Sequence, residues 1–474
     1  MSTNFDITRE HPDYTATRSQ ARMYRDLYIG GEEIKKSASS YLRSRQKEPP
    51  DVYQERLSRV FYENYIGSIV DWYAATLFRR EPVLTYEGEN QSGRKFFAEF
   101  AEDCDLKGAT LSAMLRKQFV SALVHGRSYL LVDFPKRSGK LLTRAEEENL
   151  GVSRAYLADY SADELINWST DSTGMFEWVV LRTTHARPPQ SANGPWGLET
   201  RWRYFDRERY QVWAASTQSG SKEPAKIDEG LHGLADQGQV PLFEMKVSDG
   251  LWLMHKACHL QLEHFNKSNA LSWALTMGLF AMPVIYSDRD WKQIVGESYY
   301  IQLGQQDRFG WTEPEGKVYQ IASENLTRLQ EEIYRVCYLL HQARGLHSSG
   351  FSQSGLSKQR DFAITQEVLR AYGDLVKDYL KRILKAINAA RQDGLMVDVG
   401  GMDDFDIGEF SSDLSDAERL LGLGMESPTL RATIFKKLAA KYLCDVRQDI
   451  KDRINEEIDR GAGLAGKPAP DLVS

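Results

Sequence analysis

The chain has 474 residues, room for about three domains at the usual size of a folding unit. It is 42% hydrophobic and 27% charged, which excludes wholesale disorder, and it is long enough to bury a core without disulfide or metal staples. Lys and Arg number 60 against 67 Asp and Glu, a net charge of −7, which excludes a protein that grips nucleic acid over its whole surface.

Cys104, Cys258, Cys337 and Cys444 lie far apart with no CxxC, and they read as reduced core residues of an intracellular protein. The first residues, MSTNFDITREHPDY, are polar and charged, so no signal peptide is expected. Residues 1–50 carry few apolar anchors and are expected to wrap over another surface. From Tyr53 a single helix is predicted, with Leu57, Phe61, Ile66, Ile69, Tyr73 and Leu77 at helical spacing and Pro82 as its end. A second helix is predicted from about Leu106 to His125, stopped by Gly126, and Ser128 to Phe134 then reads as a buried strand closed by Pro135.

Between about 153 and 250 the runs Phe176–Leu181, Thr200–Phe205 and Tyr210–Trp213 predict an antiparallel sheet. Long polar excursions separate them, at Arg187–Gly197 and Ser216–Gln237. Leu251 to Ala281 follows as one long helix, broken by Pro283. The uncharged run Ser268–Ser287 is long enough to raise a membrane question. Asn269, Ser272, Thr276, Gly278 and Pro283 within it favour a buried or subunit-facing helix. Residues 284–322 are expected to form a small α/β insert, with strands at Val284–Tyr286, Ser298–Leu303 and Lys317–Ile321. Ser323 is expected to cap a helix with Leu326, Leu329, Ile333, Val336 and Leu340 on one stripe, ended by Gly345. A flexible Ser/Gly loop, 346–360, precedes a long helix from about Asp361 to Arg391, and Leu395–Val399 reads as a strand. Residues 398–418 hold eight acidic side chains and no basic one. Ser415 to Glu418 is a capping box, and Ser427-Pro428 opens a further helix, so 411–460 is expected to be all-helical. From Gly461 the tail is Gly/Ala/Pro-rich and expected to be disordered.

The chemical motifs are weak. Gly350 and Gly355 have Walker A spacing, but Leu356 stands where the phosphate-gripping lysine belongs, and the loop lies between helices with no strand before it. His255 and His259 share a helical face near Cys258 and Glu263. The HExxH order and a third ligand cluster are missing, so imidazoles on an interface helix are the better reading. The acidic run lacks the order of a calcium loop. No GxSxG, GxGxxG or recognisable Cys/His pairing is present, so no catalytic residue, cofactor or metal is expected.

The order of elements is more telling: helix, small insert, helix, Ser/Gly loop, long helix. Over about residues 50–400 the chain resembles the portal proteins of tailed bacteriophages, of the branch known as a domain of unknown function. The likeness lies in Tyr53-Gln-Glu-Arg-Leu57 through Phe61 and Asn64 to Leu77-Phe-Arg-Arg-Glu-Pro82, and in His125-Gly-Arg-Ser-Tyr-Leu-Leu-Val-Asp-Phe-Pro135. It continues in Ala155-Tyr156 through Tyr160 to Leu165-Ile-Asn-Trp168, in Gln239-Val-Pro-Leu242, in the helix ending at Met282-Pro283, and in Leu356-Ser-Lys358. The helices after 411 match by position and character alone.

The resemblance implies an α+β, mostly helical fold: a wing over 1–250, a two-helix stem at 251–283 and 323–344, and a clip at 284–322. A tunnel loop would follow at 345–361, a long helix and return to the wing at 362–410, a crown at 411–460 and a flexible tail at 461–474. It implies a homo-oligomeric ring, commonly of twelve, at one capsid vertex of the virion, assembled in the host bacterial cytoplasm. Double-stranded DNA would pass through it non-specifically. The terminase large subunit, a head–tail adaptor, and the major capsid and scaffolding proteins would be partners, with no membrane. Ser348, Ser349, Ser352 and Ser354 would touch the duplex without gripping it. Lys358 and Arg360 are the local basic exceptions, one expected to meet the DNA backbone and the other a neighbouring subunit, unless both merely begin the long helix. Trp273, Met277 and Phe280 would face the next subunit. The competing readings are another virion structural protein, such as a head–tail adaptor or minor capsid protein, and a soluble hydrolase acting in the β-rich region. Adaptors are usually much shorter and lack the paired helices; a hydrolase needs converging His, Asp or Glu.

Overall fold

A computed structural model of the chain describes residues 6–79, 81–135, 154–188, 196–216, 223–278, 282–286, 308–312, 316–339, 355–402, 417–422, 427–442 and 448–461. The chain divides into two compact units, Met1–Asp403 and Asp404–Ser474. The fold is α+β with helix in excess of strand, as expected.

The N-terminal segment is part of the body and is helical, where the sequence led us to expect a polar wrap. α1 (Pro12–Ile29) starts with proline in its first turn and His11 as its cap. Its polar composition hides widely spaced anchors: Tyr14, Tyr24 and Leu27 are buried, and so are Ile34 on α2 (Gly31–Lys36), Ala38 on α3 (Ala38–Tyr41) and Leu42. The single helix predicted from Tyr53 is two, α4 (Pro50–Ser58) and α5 (Tyr65–Leu77). Asn64 restarts the chain by accepting from the Gly67 N–H at 2.9 Å. Phe61, counted on the apolar stripe, lies in the break and is 38% exposed.

β1 (Val83–Glu87) follows, then α6 (Gln91–Glu102), whose Phe96, Phe97 and Phe100 are buried. α7 (Leu111–His125) begins later than its pattern suggested. The Asp105 carboxylate accepts from the N–H groups of Lys107 and Ala109, and Asp103 from that of Gly108, so this stretch is a turn with Leu106 at φ 61°. Gly126 ends α7 as expected, at φ 81°, where its freedom from a Cβ is needed.

β2 (Arg127–Asp133) is the centre of a three-stranded antiparallel sheet, between β3 (Tyr156–Tyr160) and the later β9 (Leu242–Lys246). β4 (Leu165–Thr170), β5 (Phe176–Arg187), β6 (Gly197–Asp206), β7 (Arg209–Ser216) and β8 (Ala225–Leu231) form a five-stranded antiparallel meander. The three strand runs legible in the sequence fall within β5, β6 and β7. β8 was hidden in a predicted loop, because an edge strand reading AKIDEGL has little apolar alternation. Both faces of the meander are covered, so Val179, Val180 and Leu181 are all fully buried. Val179, Leu181 and Phe205 meet Tyr129, Leu131 and Leu242 on one side, while Val180 and Trp202 meet Ile7 and Tyr14 on the other.

Three long helices complete the first unit: α8 (Leu253–Gly278), α9 (Gly316–Val336) and α10 (Gly355–Arg391). Between α8 and α9 lie β10 (Met282–Tyr286) and β11 (Arg308–Thr312), paired antiparallel with Met282 opposite Thr312. The predicted Ser298–Leu303 strand lies outside the described residues. Lys317–Ile321, predicted as strand, is the first part of α9, and Ser323, predicted as a cap, lies inside that helix and accepts from the Thr327 hydroxyl at 3.2 Å. β-branched and aromatic residues raised the strand expectation; of them Tyr319 reaches α8, while Val318 and Ile321 stay exposed. α9 also ends earlier than Gly345, at Val336. The long helix starts at Gly355, six residues before its expected start, and buries Leu369, Tyr372, Val376, Tyr379, Leu380, Ile383, Leu384 and Ile387. β12 (Met396–Gly400) pairs antiparallel with β1. In the second unit a helical stretch at 417–422 precedes α11 (Pro428–Tyr442) and α12 (Gln448–Gly461). Ser427 accepts from the Leu430 N–H at 3.3 Å, the expected cap. The capping serine at 415 and the tail after 461 lie outside the described residues.

Candidate functional site: a rooted helix pair and the segment behind it

α8 and α9 run antiparallel, side by side. The Tyr319 hydroxyl donates to the Ala274 carbonyl at 3.3 Å, and Lys267 Nζ donates to Asn325 Oδ1 at 2.9 Å. The chain leaves along α8, passes through the β10/β11 pair and returns along α9.

The polar residues of α8 explain how its base is held. Gln261 accepts from the Ile66 N–H at 3.3 Å and donates to the Glu63 carbonyl at 2.7 Å. Asn269 accepts from the Phe61 N–H at 3.2 Å and donates to the Phe61 carbonyl at 3.0 Å. Asn266 does the same one turn earlier, for the Arg43 N–H at 2.8 Å and the Tyr41 carbonyl at 3.0 Å. These side chains supply the backbone partners that residues 41–66 lack where they are not helical, so the break between α4 and α5 is created from α8. No helix among the described residues is long and apolar enough to cross a membrane.

His264 is buried beside Glu63, Nδ1 to Oε2 3.6 Å, and burial pushes its imidazole below the ordinary histidine value. His255 Nδ1 lies 3.0 Å from the Tyr24 hydroxyl and its ring stacks on Trp252 at 4.8 Å. The Cys258 thiol is pushed up by burial, which disfavours the thiolate a metal needs. No group of His, Cys, Asp or Glu among the described residues is placed to hold a metal ion. A cavity between Leu42, Arg56, Arg59, Asn269 and Trp273 has about 20 Å³, space for one water.

Of the residues expected at subunit contacts, Trp273 is covered within its own chain. It is 9% exposed, with the Arg59 guanidinium 5.7 Å from its ring centroid. Met277 lies one turn further along α8, with its side chain outside the described residues, as is Phe280 altogether. Among the described side chains of the pair, the exposed large apolar ones are Leu275, Val318 and Ile321, at 42%, 64% and 57% exposure. Sequence periodicity could not separate them from the core stripe.

Ser348, Ser349, Ser352 and Ser354 lie outside the described residues. Lys358 and Arg360 fall in the first two turns of α10, their side chains not described. The flank before the Ser/Gly segment is firmly tied. Tyr73 donates to the Cys337 carbonyl at 2.8 Å and Thr365 to the Tyr338 carbonyl at 2.6 Å. Tyr338 itself, at φ 62°, donates to the Gly250 carbonyl at 2.8 Å, with Lys256 4.5 Å from its ring centroid. α5, α8 and α10 thus converge on Cys337 and Tyr338. Nothing in the sequence singled out Tyr338 or Thr365, since neither stands in a motif. In the acidic segment, Lys381 holds the Asp398 carboxyl below its usual range through a 2.9 Å contact; residues 403–416 lie outside the described residues.

No protein-family model matches the chain, and no curated protein matches it. Among solved structures it is similar to a chain in the neck of an empty gene transfer agent particle computed with C6 symmetry. That similarity has a TM-score of 0.46 and 12% identity, covering 78% of this chain and 90% of the other. A chain in the virion of a native gene transfer agent particle gives a TM-score of 0.42 and 12% identity, covering 84% and 96%. A chain in the neck of the native particle, computed with C12 symmetry, gives 0.43 and 12%, covering 85% and 99%.

Proposed function

We propose that this chain is the subunit of a portal ring, probed by DNA on its inner surface and by assembly partners at its tip. The observation that carries the reading is the antiparallel pair α8/α9, bridged by the β10/β11 strands and followed by a Ser/Gly segment and the 37-residue α10. This is the order in which the sequence resembles the portal family, and it gives each part a physical task. The rooted helices act as stem, β10/β11 belong to the clip, and residues 345–361, which follow the tied Cys337 and Tyr338 and run into α10, act as the tunnel loop. Residues 1–250 form the wing and 411–460 the crown.

A conduit must let the duplex slide, and every phosphate contact adds salt-dependent affinity. A subunit of net charge −7 with serines at 348, 349, 352 and 354 meets that need. Lys358 and Arg360 are the two places where a grip is available. In this reading double-stranded DNA is held non-specifically, and the terminase large subunit, a head–tail adaptor, and capsid and scaffolding proteins dock on the outside. The activity is mechanical, with no catalytic step.

The test is negative-stain imaging of the purified chain together with its mass in solution. A ring of about twelve copies around a hole wide enough for a duplex, roughly 20–40 Å, is the expected result. A strictly monomeric chain that stays monomeric when expressed with its capsid and scaffolding proteins would overturn it. Changing Lys358 and Arg360 together to Ala should lower DNA packaging or retention; normal particles from that variant would remove their role.

A further inference from the structure

α9 stops at a residue ill suited to stop a helix. The Tyr338 N–H donates to the Arg335 carbonyl at 3.1 Å and the Leu339 N–H to the Tyr334 carbonyl at 2.9 Å, the two closing bonds of a Schellman end. That motif places its turning residue in the left-handed region, and glycine usually fills it because a Cβ is penalised there. Here the residue is tyrosine, at φ 62°.

Contacts from elsewhere in the chain offset that penalty. The Tyr338 hydroxyl donates to the Gly250 carbonyl at 2.8 Å, just ahead of α8, and accepts from Lys256 Nζ at 2.5 Å. Its carbonyl accepts from the Thr365 hydroxyl on α10 at 2.6 Å, and Leu339 behind it is fully buried. The local sequence points to a different stop. Leu326, Leu329, Ile333, Val336 and Leu340 keep one helical stripe, and Cys337 to Arg344 contains neither glycine nor proline. Arg344 suits a last turn, and Gly345 is an ordinary glycine end.

We propose that the end of α9 is a two-state element with Tyr338 as its latch. In the short form, the one observed, the ties to Gly250, Lys256 and Thr365 hold Tyr338 in the left-handed turn. In the long form Tyr338 takes a helical φ, its carbonyl turns from Thr365 to the Gln342 N–H, and α9 runs on to Gly345, about 12 Å longer at 1.5 Å per residue. Backbone strain favours the long form and the three ties the short one, so a molecule that competes for any tie shifts the balance. The proposal rests on the portal reading only for what the change would serve, because the latch lies on the flank of the segment assigned to the tunnel.

The test is hydrogen–deuterium exchange of the full chain read by mass spectrometry. Peptides covering 337–345 are followed, with peptides from β5 and β6 as a control for global opening. Tyr338→Ala and Tyr338→Gly both remove the side-chain ties, but alanine then favours helix whereas glycine keeps the left-handed turn without cost. Tyr338→Ala is expected to slow exchange over 337–345 several-fold relative to wild type, and Tyr338→Gly is not. Equal exchange in the two variants, or faster exchange in Tyr338→Ala with unchanged controls, would overturn the latch. If Tyr338→Ala also opens the control peptides, Lys256→Met decides, since it removes one tie and leaves Tyr338 in place. Slower exchange over 337–345 in that variant supports the long form; unchanged or faster exchange overturns it. Protection in Tyr338→Ala from a chain that never forms rings would sink the portal reading and leave the latch standing, and rings without that protection would do the reverse.

Discussion

Gln261 sits in the middle of a long helix, yet its carboxamide acts on residues 63 and 66, almost two hundred positions earlier in the chain. Its side chain is fully buried, so removing it leaves a backbone donor and acceptor without partners. Gln261→Ala should therefore cost about 1–3 kcal/mol in urea unfolding, and Gln261→Leu, which keeps the volume, should cost no less. Recovery of stability in the leucine variant would show that packing, not hydrogen bonding, holds the junction. The sequence displayed this residue only as one polar position among several on a long helix. Its partner was invisible because no local rule connects positions so far apart. Trp273 teaches the same lesson in reverse: the resemblance set it against a neighbouring subunit, while packing places Arg59 of its own chain over its ring.

At the scale of elements, the places where expectation and structure part share one cause. α7 and α9 both begin where a partner allows, not where periodicity starts. Asp103 and Asp105 divert the chain before α7, and the β-prone Lys317–Ile321 is helix, touching α8 through Tyr319. Gly373, inside α10, shows how closely a neighbour can constrain a helix. A Cβ at this position would fall well inside van der Waals contact with the Met402 carbonyl oxygen. Intrinsic preference favours alanine over glycine in a helix by about 1 kcal/mol, whereas forcing a methyl into a packed site costs about 1–3 kcal/mol. Gly373→Ala is expected to lower the thermal midpoint; a raised midpoint would mean that the 400–402 segment gives way at no cost.

For the whole molecule, the useful contrast is between side chains that complete the chain and side chains left over. Trp273→Ala should destabilise the isolated chain by about 3–5 kcal/mol, because it empties a buried site. Leu275→Asp, two residues along and 42% exposed, should leave chain stability within about 0.5 kcal/mol while lowering the fraction assembled in sedimentation. Equal assembly in wild type and Leu275→Asp would take this face out of the subunit contact of the proposed ring.

What the sequence determined by itself is local. The stop at Gly126, the buried strand after it, the three central strands of the meander, the strand near 396 and the Ser427-Pro428 helix start all follow from short-range rules. Capping, proline geometry and side-chain periodicity act within a few residues and are legible there. The order of elements, and with it the family resemblance, was legible for the same reason. Tertiary structure alone decided where α5 and α9 begin, that residues 6–42 belong to the core, and which apolar side chains of α8 face inward. Those outcomes depend on groups finding partners far along the chain, some two hundred residues away for Phe61 and Ile66 and about fifty for the start of α9, and burial is set only when the chain closes on itself.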